Sequence, residues 1–143
     1  MHIIALGLLP TAIDEMLRHH PPVLHFRRTA MRDVELRGQR IRAGDKVTVW
    51  YVSANRDEDV FPDPDRFDVG RTPNDHLSFG FGPHFCLGAS LAHLEARVLF
   101  EELFRRLPDI RIAGPVVQLR ANHINGIKHL PVRFTPETRG ATA

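Results

Sequence analysis

Cysteine occurs only once in this sequence of 143 residues. The single cysteine, Cys86, excludes an internal disulfide framework and suits a reducing compartment. No sign of charge dominates: 19 Lys and Arg face 17 Asp and Glu with the signs interleaved, which argues against nucleic-acid binding. The longest apolar run, residues 3–9, is far shorter than the roughly 20 residues of a membrane span, and no signal-peptide pattern is present. We therefore predict a cytoplasmic protein without a membrane span.

Several familiar motifs are also missing. The nine histidines show no H-E-x-x-H or other paired metal spacing, and the chain contains neither a G-x-S-x-G elbow nor a P-loop. Residues 55–71 are rich in aspartate and proline, but an EF-hand loop starting at Asp57 would need glycine and glutamate where the chain has Pro62 and Asp68. We therefore exclude a calcium loop and predict that this segment is coil.

The most distinctive stretch that is present is residues 76–89, which contain Cys86 and three glycines within nine residues. An apolar-periodic segment, residues 87–107, follows and predicts a long amphipathic helix whose apolar stripe packs in a core, the stripe being Leu87, Leu91, Leu94 and Val98. Unpaired N–H groups at a helix start stabilise a thiolate, and glycines allow a flat partner to approach the backbone closely. The pattern predicts a thiolate presented to a metal or an electrophile. The alternative is a cysteine buried as a small hydrophobe.

A shorter helix is predicted from Thr11, where Thr11-x-x-Asp14 is typical of a capping box, to the proline pair at 21–22. Glu15 and Arg18 lie three residues apart on it and can pair. They lie opposite the apolar face of the helical wheel. The residues alone therefore favour a solvated surface pair worth a few tenths of a kcal/mol.

The remaining predicted elements are short strands. Residues 34–36 and 39–41 flank a hairpin turn at Arg37-Gly38, residues 43–45 form a further turn, and residues 47–52 are β-branched and aromatic. Nearer the C-terminus, residues 110–112 and 127–134 are predicted strands, and Asn125-Gly126 is a type I′ hairpin signal. We expect residues 1–10 and 136–143 to be poorly ordered.

The cysteine stretch matches the loop F-x-x-G-x-[HR]-x-C-x-G of the cytochrome P450 family through Phe79, Gly82, His84, Cys86 and Gly88. Glu15-x-x-Arg18 matches the family's E-x-x-R helix, and residues 63–68 resemble its meander. The resemblance implies a mainly α fold with small β-sheets, the C-terminal portion of the P450 fold: E-x-x-R helix, small sheet, meander, Cys loop, long helix and C-terminal hairpin. Residues 1–143 would form one partial haem domain.

The resemblance also implies the residues of a site for haem b, with Cys86 as the axial ligand of the iron. Arg28 and His84 would hold the haem propionates, because a guanidinium fork suits a carboxylate. Phe79 would pack near the haem, beside the loop glycines Gly80, Gly82 and Gly88. The Glu15–Arg18 pair would instead be buried and structural, completed by Arg66 or, alternatively, by Arg56. The C-terminal hairpin would touch substrate through Ile124, Asn125, Gly126 and Ile127. His93 stands where the family generally has arginine.

The implied activity is insertion of one oxygen atom from O2 into a lipophilic organic substrate, with electrons from a ferredoxin-type partner. The segments 26–30 and 125–132 are most similar to actinobacterial members that act on sterols and methyl-branched lipids. The chain lacks the family's central helix with its acid–alcohol pair, so we expect a fragment, a truncated gene product or a misplaced start. The alternatives are an inactive truncated remnant and a redox-sensing thiol protein, which would leave Glu15-x-x-Arg18 and the meander unexplained.

Overall fold

A computed structural model of the chain describes residues 7–136. These contain three α-helices: α1 (Leu9–His19), α2 (Tyr51–Ala54) and α3 (Ala89–Arg106). They also contain eight short strands: β1 (His25–Thr29), β2 (Val34–Leu36), β3 (Gln39–Ile41), β4 (Lys46–Trp50), β5 (Arg111–Ile112), β6 (Val117–Gln118), β7 (Ile127–His129) and β8 (Val132–Arg133). The order of helix, small sheet, coil, cysteine loop, long helix and C-terminal strands is the predicted one. Most of the two termini predicted to be poorly ordered lies outside the described residues.

Helix α1 begins at Leu9, two residues before the predicted start. Pro10 lies in its first turn, where the missing N–H costs no hydrogen bond. The predicted capping box is wrong, since Thr11 is already inside the helix and its hydroxyl donates to the Leu8 carbonyl at 3.0 Å. The helix ends at His19, just before the proline pair, as predicted.

The N-terminal strands pair locally. Strands β1 and β4 are antiparallel, with Arg27 opposite Thr48, and β2 and β3 form the predicted hairpin. Arg37 and Gly38 at its turn have φ of 46° and 78°, which is typical of a type I′ turn. The predicted strand over 47–52 is too long, because Tyr51 begins α2 and its carbonyl accepts the N–H of Asn55 at 2.9 Å.

The coil predicted over residues 55–71 contains no helix or strand. Helix α3 begins at Ala89 rather than at residue 87, with Gly88 as its N-cap residue. Cys86 therefore lies three residues before the first helical residue rather than directly before it. Its N–H is already bonded to the Phe79 carbonyl at 2.8 Å, which holds the loop closed before the helix starts.

At the C-terminus, β5 pairs with β8 and β6 pairs with β7, each antiparallel. The predicted two-residue turn at Asn125-Gly126 is wrong: residues 119–126 separate β6 from β7, and neither of the two residues has a positive φ. The reason is a long-range contact. The Asn125 N–H donates to the Pro22 carbonyl at 2.8 Å, and Ile124 forms a β-bridge with Val23.

The buried centre lies where α1 meets α2, the coil and the start of α3, and it is unusually polar. Its apolar members are Leu9, Ala12, Ile13, Tyr51, Phe61 and Ala89, yet Glu15, Arg18 and Asn55 are fully buried among them. The predicted core packing of the α3 stripe is wrong, because Leu87, Leu91, Leu94 and Val98 are all exposed. Helix α3 meets α1 through the hydrogen bond between His93 and Asp14, and no described element buries the stripe. Within the described residues, no helix is long and apolar enough to cross a membrane.

Candidate cofactor site around Cys86

The loop that carries Cys86 is shaped by backbone hydrogen bonds and two left-handed glycines. The Cys86 N–H donates to Phe79 O at 2.8 Å, and the Phe85 N–H donates to Gly82 O at 3.0 Å. Gly80 and Gly82 have φ of 76° and 67°, a region that favours glycine. A Cβ at Gly80 would also lie 3.2 Å from the Tyr51 hydroxyl oxygen. Cys86 is exposed on this loop.

Cys86 lines a cavity of about 470 Å³. Its lining is apolar except for a few polar groups, and consists of Leu17, Pro22, Val23, Phe26, Arg28, Tyr51, Ser78, Phe79, His84 and Cys86. Four of the predicted site residues, from β1 and the cysteine loop, therefore line one space. Gly80 lies next to it in a smaller cavity that Arg28 also lines. Gly82 and Gly88 line neither cavity: Gly82 lies at a left-handed position of the loop, and Gly88 is the N-cap residue of α3.

The chemistry of this lining suits a flat, apolar group that carries a metal ion and acidic substituents. A thiolate is a soft metal ligand, and the guanidinium of Arg28 can bind a carboxylate through two parallel hydrogen bonds. No carboxylate among the described residues pairs with Arg28, whose Nη1 donates to the Arg27 carbonyl. The imidazole of His84 supplies a second polar group on the same lining. The volume is within the roughly 300–1,000 Å³ typical of cofactor sites.

Glu15 and Arg18 form a buried, bidentate ion pair behind the cavity. Arg18 Nε lies 2.7 Å from Glu15 Oε2, and Arg18 Nη2 lies 2.9 Å from Oε1. Both side chains are fully buried. Arg18 also donates to the carbonyls of Asn55, Pro64 and Arg66. A single guanidinium therefore joins α1 to the coil, and the surface pair favoured by the residues alone is not what the fold contains.

The third member of this cluster is Arg71, not Arg66 or Arg56. Arg71 Nε lies 3.2 Å from Glu15 Oε2, and its side chain is 9% exposed. The Arg66 side chain is exposed and lies near Asp68, so this residue contributes only its carbonyl. Arg56 pairs with Asp65 and donates to the His19 carbonyl. The three arginines lie in coil without a period, so sequence spacing does not distinguish them.

The surroundings of Glu15 keep it ionised. Burial alone would raise the pKa of this carboxyl, but the hydrogen bonds from Arg18 and the Asp68 N–H, with the charges of Arg18 and Arg71, lower the pKa to about 2. The Asn74 amide adds a further hydrogen bond at 3.1 Å. Removal of a charged partner from such a buried carboxylate is strongly destabilising.

Asn55 connects this cluster to the cysteine loop, and sequence reasoning missed it. Its Nδ2 donates to the Arg18 carbonyl at 3.1 Å and to Ser78 Oγ at 2.9 Å, while its Oδ1 accepts the Leu77 N–H at 2.8 Å. The Ser78 hydroxyl in turn donates to the Leu17 carbonyl at 2.7 Å. No residue pattern identifies one asparagine in a coil as such a link. Tyr51, on the cavity lining, was missed because the expected strand ran through it.

The four predicted substrate residues lie beside the cavity rather than on its lining. None of Ile124, Asn125, Gly126 and Ile127 lines it. Their segment binds the backbone of Pro22 and Val23, which do line it. The segment thus braces one wall of the cavity, and direct contact with substrate stays a prediction.

Comparisons with known proteins agree on one family. The family model for Cytochrome P450 matches residues 2–108. Methyl-branched lipid omega-hydroxylase of Mycobacterium tuberculosis is 52% identical over 130 residues, which cover 90% of this chain and 30% of that protein. Steroid C26-monooxygenase of Mycolicibacterium smegmatis is 50% identical over 131 residues, which cover 90% of this chain and 33% of that protein.

A solved structure gives the same result in three dimensions. The crystal structure of CYP109E1 from Bacillus megaterium in complex with testosterone matches with a TM-score of 0.87 and 39% sequence identity. The match covers 90% of this chain and 36% of that chain. This chain spans about a third of the length of the proteins it matches.

Proposed function

The chain belongs to the cytochrome P450 family and forms the C-terminal portion of its fold, and from this premise we propose that it is part of a haem-thiolate monooxygenase. One observation carries the proposal. Cys86, Phe79, His84 and Arg28 line a single apolar cavity of about 470 Å³. A thiolate ligand, two polar groups for carboxylates and an apolar surround are the donor set that haem b requires.

Each of these residues has a separate role. When bound, haem supplies the activation of dioxygen, and a thiolate ligand favours O–O cleavage. Cys86 provides the thiolate, and the Phe79 carbonyl fixes its backbone through the 2.8 Å hydrogen bond. Arg28 and His84 bind the two propionates. The apolar lining excludes water, which strengthens these electrostatic contacts because the local dielectric constant is low. Gly80, Gly82 and Gly88 keep the loop close to the cofactor.

The proposed substrate is a lipophilic molecule into which one oxygen atom from O2 is inserted. The apolar lining supports this class, and so do the printed names of two relatives, a methyl-branched lipid hydroxylase and a steroid monooxygenase. Ile124, Asn125, Gly126 and Ile127 approach the substrate from the braced wall. A ferredoxin-type protein supplies the electrons, as the resemblance to bacterial members implies, and the single thiol favours the cytoplasm.

A second candidate is a P450 remnant without activity of its own, and the observation behind it is the apolar stripe of α3, which the described residues leave uncovered. Leu87, Leu91, Leu94 and Val98 would normally be expected on a covered face. Such a chain would keep the family's fold without any turnover of its own.

Turnover with isotopically labelled dioxygen separates the two candidates. The chain is loaded with haem, supplied with a ferredoxin, its reductase and NADPH, and offered a branched fatty acid or a sterol. We expect one labelled oxygen atom per product molecule, and no product from Cys86→Ser. Thiolate-ligated haem without any labelled product across these substrates would favour the remnant.

A further inference from the structure

A cluster of one carboxylate and two histidines lies behind the cysteine loop, outside the cavity lining. Asp14 belongs to α1, His93 to α3, and His76 to the coil just before the loop; we call these three residues the Asp14 cluster. His93 Nε2 lies 2.8 Å from Asp14 Oδ1, and His76 Nε2 lies 3.8 Å from the same oxygen. One carboxylate oxygen therefore joins both helices and the loop.

The contacts of His93 indicate its charge. Its Nδ1 lies 2.8 Å from the Ala89 carbonyl, and its Nε2 lies 2.8 Å from the Asp14 carboxylate. The Ala89 carbonyl oxygen and an ionised Asp14 carboxylate can accept hydrogen bonds but cannot donate them. Both ring nitrogens must therefore donate. An imidazole that donates from both nitrogens is the imidazolium cation. With both hydrogen bonds made, His93 places a positive charge beside Asp14.

His76 is assigned as a neutral imidazole, unlike His93. Its Nδ1 accepts the Ser78 N–H at 3.3 Å, which leaves Nε2 as the protonated nitrogen, directed at Asp14. Burial lowers the pKa of His76, the nearby Asp14 opposes this, and the charge of His93 adds to the lowering. The two histidines that share one carboxylate therefore differ in charge.

The Asp14 cluster reaches Cys86 through one aromatic ring. The Phe79 ring centroid lies 5.1 Å from that of His93 and 6.0 Å from that of His76. The carbonyl of the same Phe79 accepts the Cys86 N–H at 2.8 Å. The position of Phe79 is thus set on one side by the histidines, and it sets the backbone of the cysteine on the other.

We propose that His93, held as a cation by Asp14, is a positioning residue for the Cys86 loop that acts through Phe79. This inference rests on the proposed function for its effect on haem, although the positioning of Cys86 does not require haem. The titratable and charged groups that face His93 are Asp14 from α1, the neutral His76 from the coil and Arg97, which shares a cleft with it one turn along α3. Loss of the His93 charge leaves the Asp14 carboxylate with neutral partners and loosens the contact with Phe79.

The first test uses the full chain without haem and measures nitrogen NMR of the histidine rings at pH 8, where an imidazole without a charged partner is neutral. We expect His93 to be protonated on both nitrogens and His76 on Nε2 alone, and we expect Asp14→Asn to abolish the second proton of His93. A singly protonated His93 in the wild-type chain, or no change in Asp14→Asn, overturns the assignment.

The second test measures how reactive Cys86, the only thiol of the chain, is in the loop. Alkylation of Cys86 by iodoacetamide is compared in the wild type, His93→Arg, His93→Gln and Asp14→Asn, all without haem. We expect His93→Arg to keep the wild-type rate because it keeps the charge, and the other two variants to react several-fold faster. Equal rates in all four chains would overturn the positioning role.

The third test measures the reduction potential of the haem-loaded chain at pH 6 and pH 9. We expect a lower potential at pH 9 in the wild type, a high value with a smaller pH dependence in His93→Arg, and a low value with a smaller pH dependence in His93→Gln. A merely structural residue would change stability without this pattern. Identical potentials in three thiolate-ligated proteins contradict the proposal. A wild type without thiolate ligation contradicts the proposed function instead, and the two haem-free tests then decide on His93.

Discussion

At the scale of single residues, Glu15 shows how a fold can hold an ion pair that is costly to bury. Taking two charges out of water is repaid only if the geometry is good and the remaining lone pairs are bonded. Here Arg18 binds both carboxylate oxygens, and Arg71, Asn74 and the Asp68 N–H add further donors. The cluster is therefore stable as a set, and removal of one member exposes the others to the full cost of burial.

Acid should destabilise the chain through Glu15. The folded pKa of about 2 lies below the usual 4.5, so the contribution is fully present above pH 4.5 and is lost as the pH falls towards 2. We expect a loss of about 3 kcal/mol over this range, since one pKa unit corresponds to about 1.4 kcal/mol. Urea unfolding at pH 6, 4 and 3 measures the upper part of this loss, about 2 kcal/mol. Glu15→Gln should remove this part of the pH dependence, and an unchanged slope in that variant would count against the assignment.

Arg71 and Arg66 provide a matched pair of substitutions. Arg71→Gln removes a donor from a buried carboxylate and should cost about 2–4 kcal/mol in the free energy of unfolding. Arg66→Gln changes an exposed side chain whose carbonyl remains, so we expect a change within about 0.5 kcal/mol. The two values are compared by chemical denaturation at pH 7. Equal effects, or a larger effect at Arg66, would restore Arg66 as the third member of the cluster.

At the scale of elements, Asn55 decides whether the buried ion pair and the cysteine loop form one unit. Asn55→Ala removes hydrogen bonds to Arg18, Leu77 and Ser78 and leaves their partners buried. We expect a loss of about 2–3 kcal/mol in the free energy of unfolding. Hydrogen exchange should also show faster exchange at the N–H groups of Leu77 and Cys86. The control is Asn122→Ala at an exposed position. Unchanged exchange in the loop would mean that the two parts are independent.

The α3 stripe can be tested against the buried face of α1. Leu91→Gln and Val98→Gln replace exposed side chains, and we expect each to change the free energy of unfolding by no more than about 0.5 kcal/mol. Ile13→Ala removes a side chain that is 3% exposed and should cost about 2–4 kcal/mol. If Leu91→Gln costs as much as Ile13→Ala, the stripe is covered in solution, for example by a second copy of the chain. Sedimentation of the wild type identifies that case.

The elements also show how much of the fold the sequence alone predicts. The Arg37-Gly38 turn was predictable because its requirement is local: two positive φ angles between alternating strands. Asn125-Gly126 has the same local preference, but backbone contacts with Pro22 and Val23 override it. The residues near position 125 do not predict contacts with a segment about a hundred residues earlier in the chain. Arg71 was missed for a related reason, since coil has no period from which a side-chain direction can be inferred.

The cysteine loop was predictable because its chemistry is concentrated in a few adjacent residue types. Glycines at left-handed positions and one cysteine before a helix leave little choice of geometry. The amphipathic pattern of α3 correctly predicts a helix with an apolar stripe. The pattern shows which face of the helix is apolar. It does not show what covers that face, and in the described residues nothing does.

At the scale of the whole molecule, the usual distribution of polar and apolar side chains is partly reversed. Glu15, Arg18 and Asn55 are buried at the centre, while Phe81, Leu87 and many other large apolar residues are exposed. Surfaces of this kind are typical of contacts with further protein. The described residues nevertheless bring Arg28, Phe79, His84 and Cys86 to one cavity, so the part of the site that these residues supply is already assembled.

The spectrum of the reduced, carbon monoxide-bound chain tests the central claim most directly, because it reports the ligand of the iron. Haem is added to the wild type, to Cys86→Ser and to His84→Gln, and each is reduced under carbon monoxide. The account predicts a thiolate-type Soret band in the wild type, its complete loss in Cys86→Ser, and its retention with weaker haem binding in His84→Gln. A wild-type spectrum without that band, or one that Cys86→Ser leaves unchanged, would contradict ligation by Cys86.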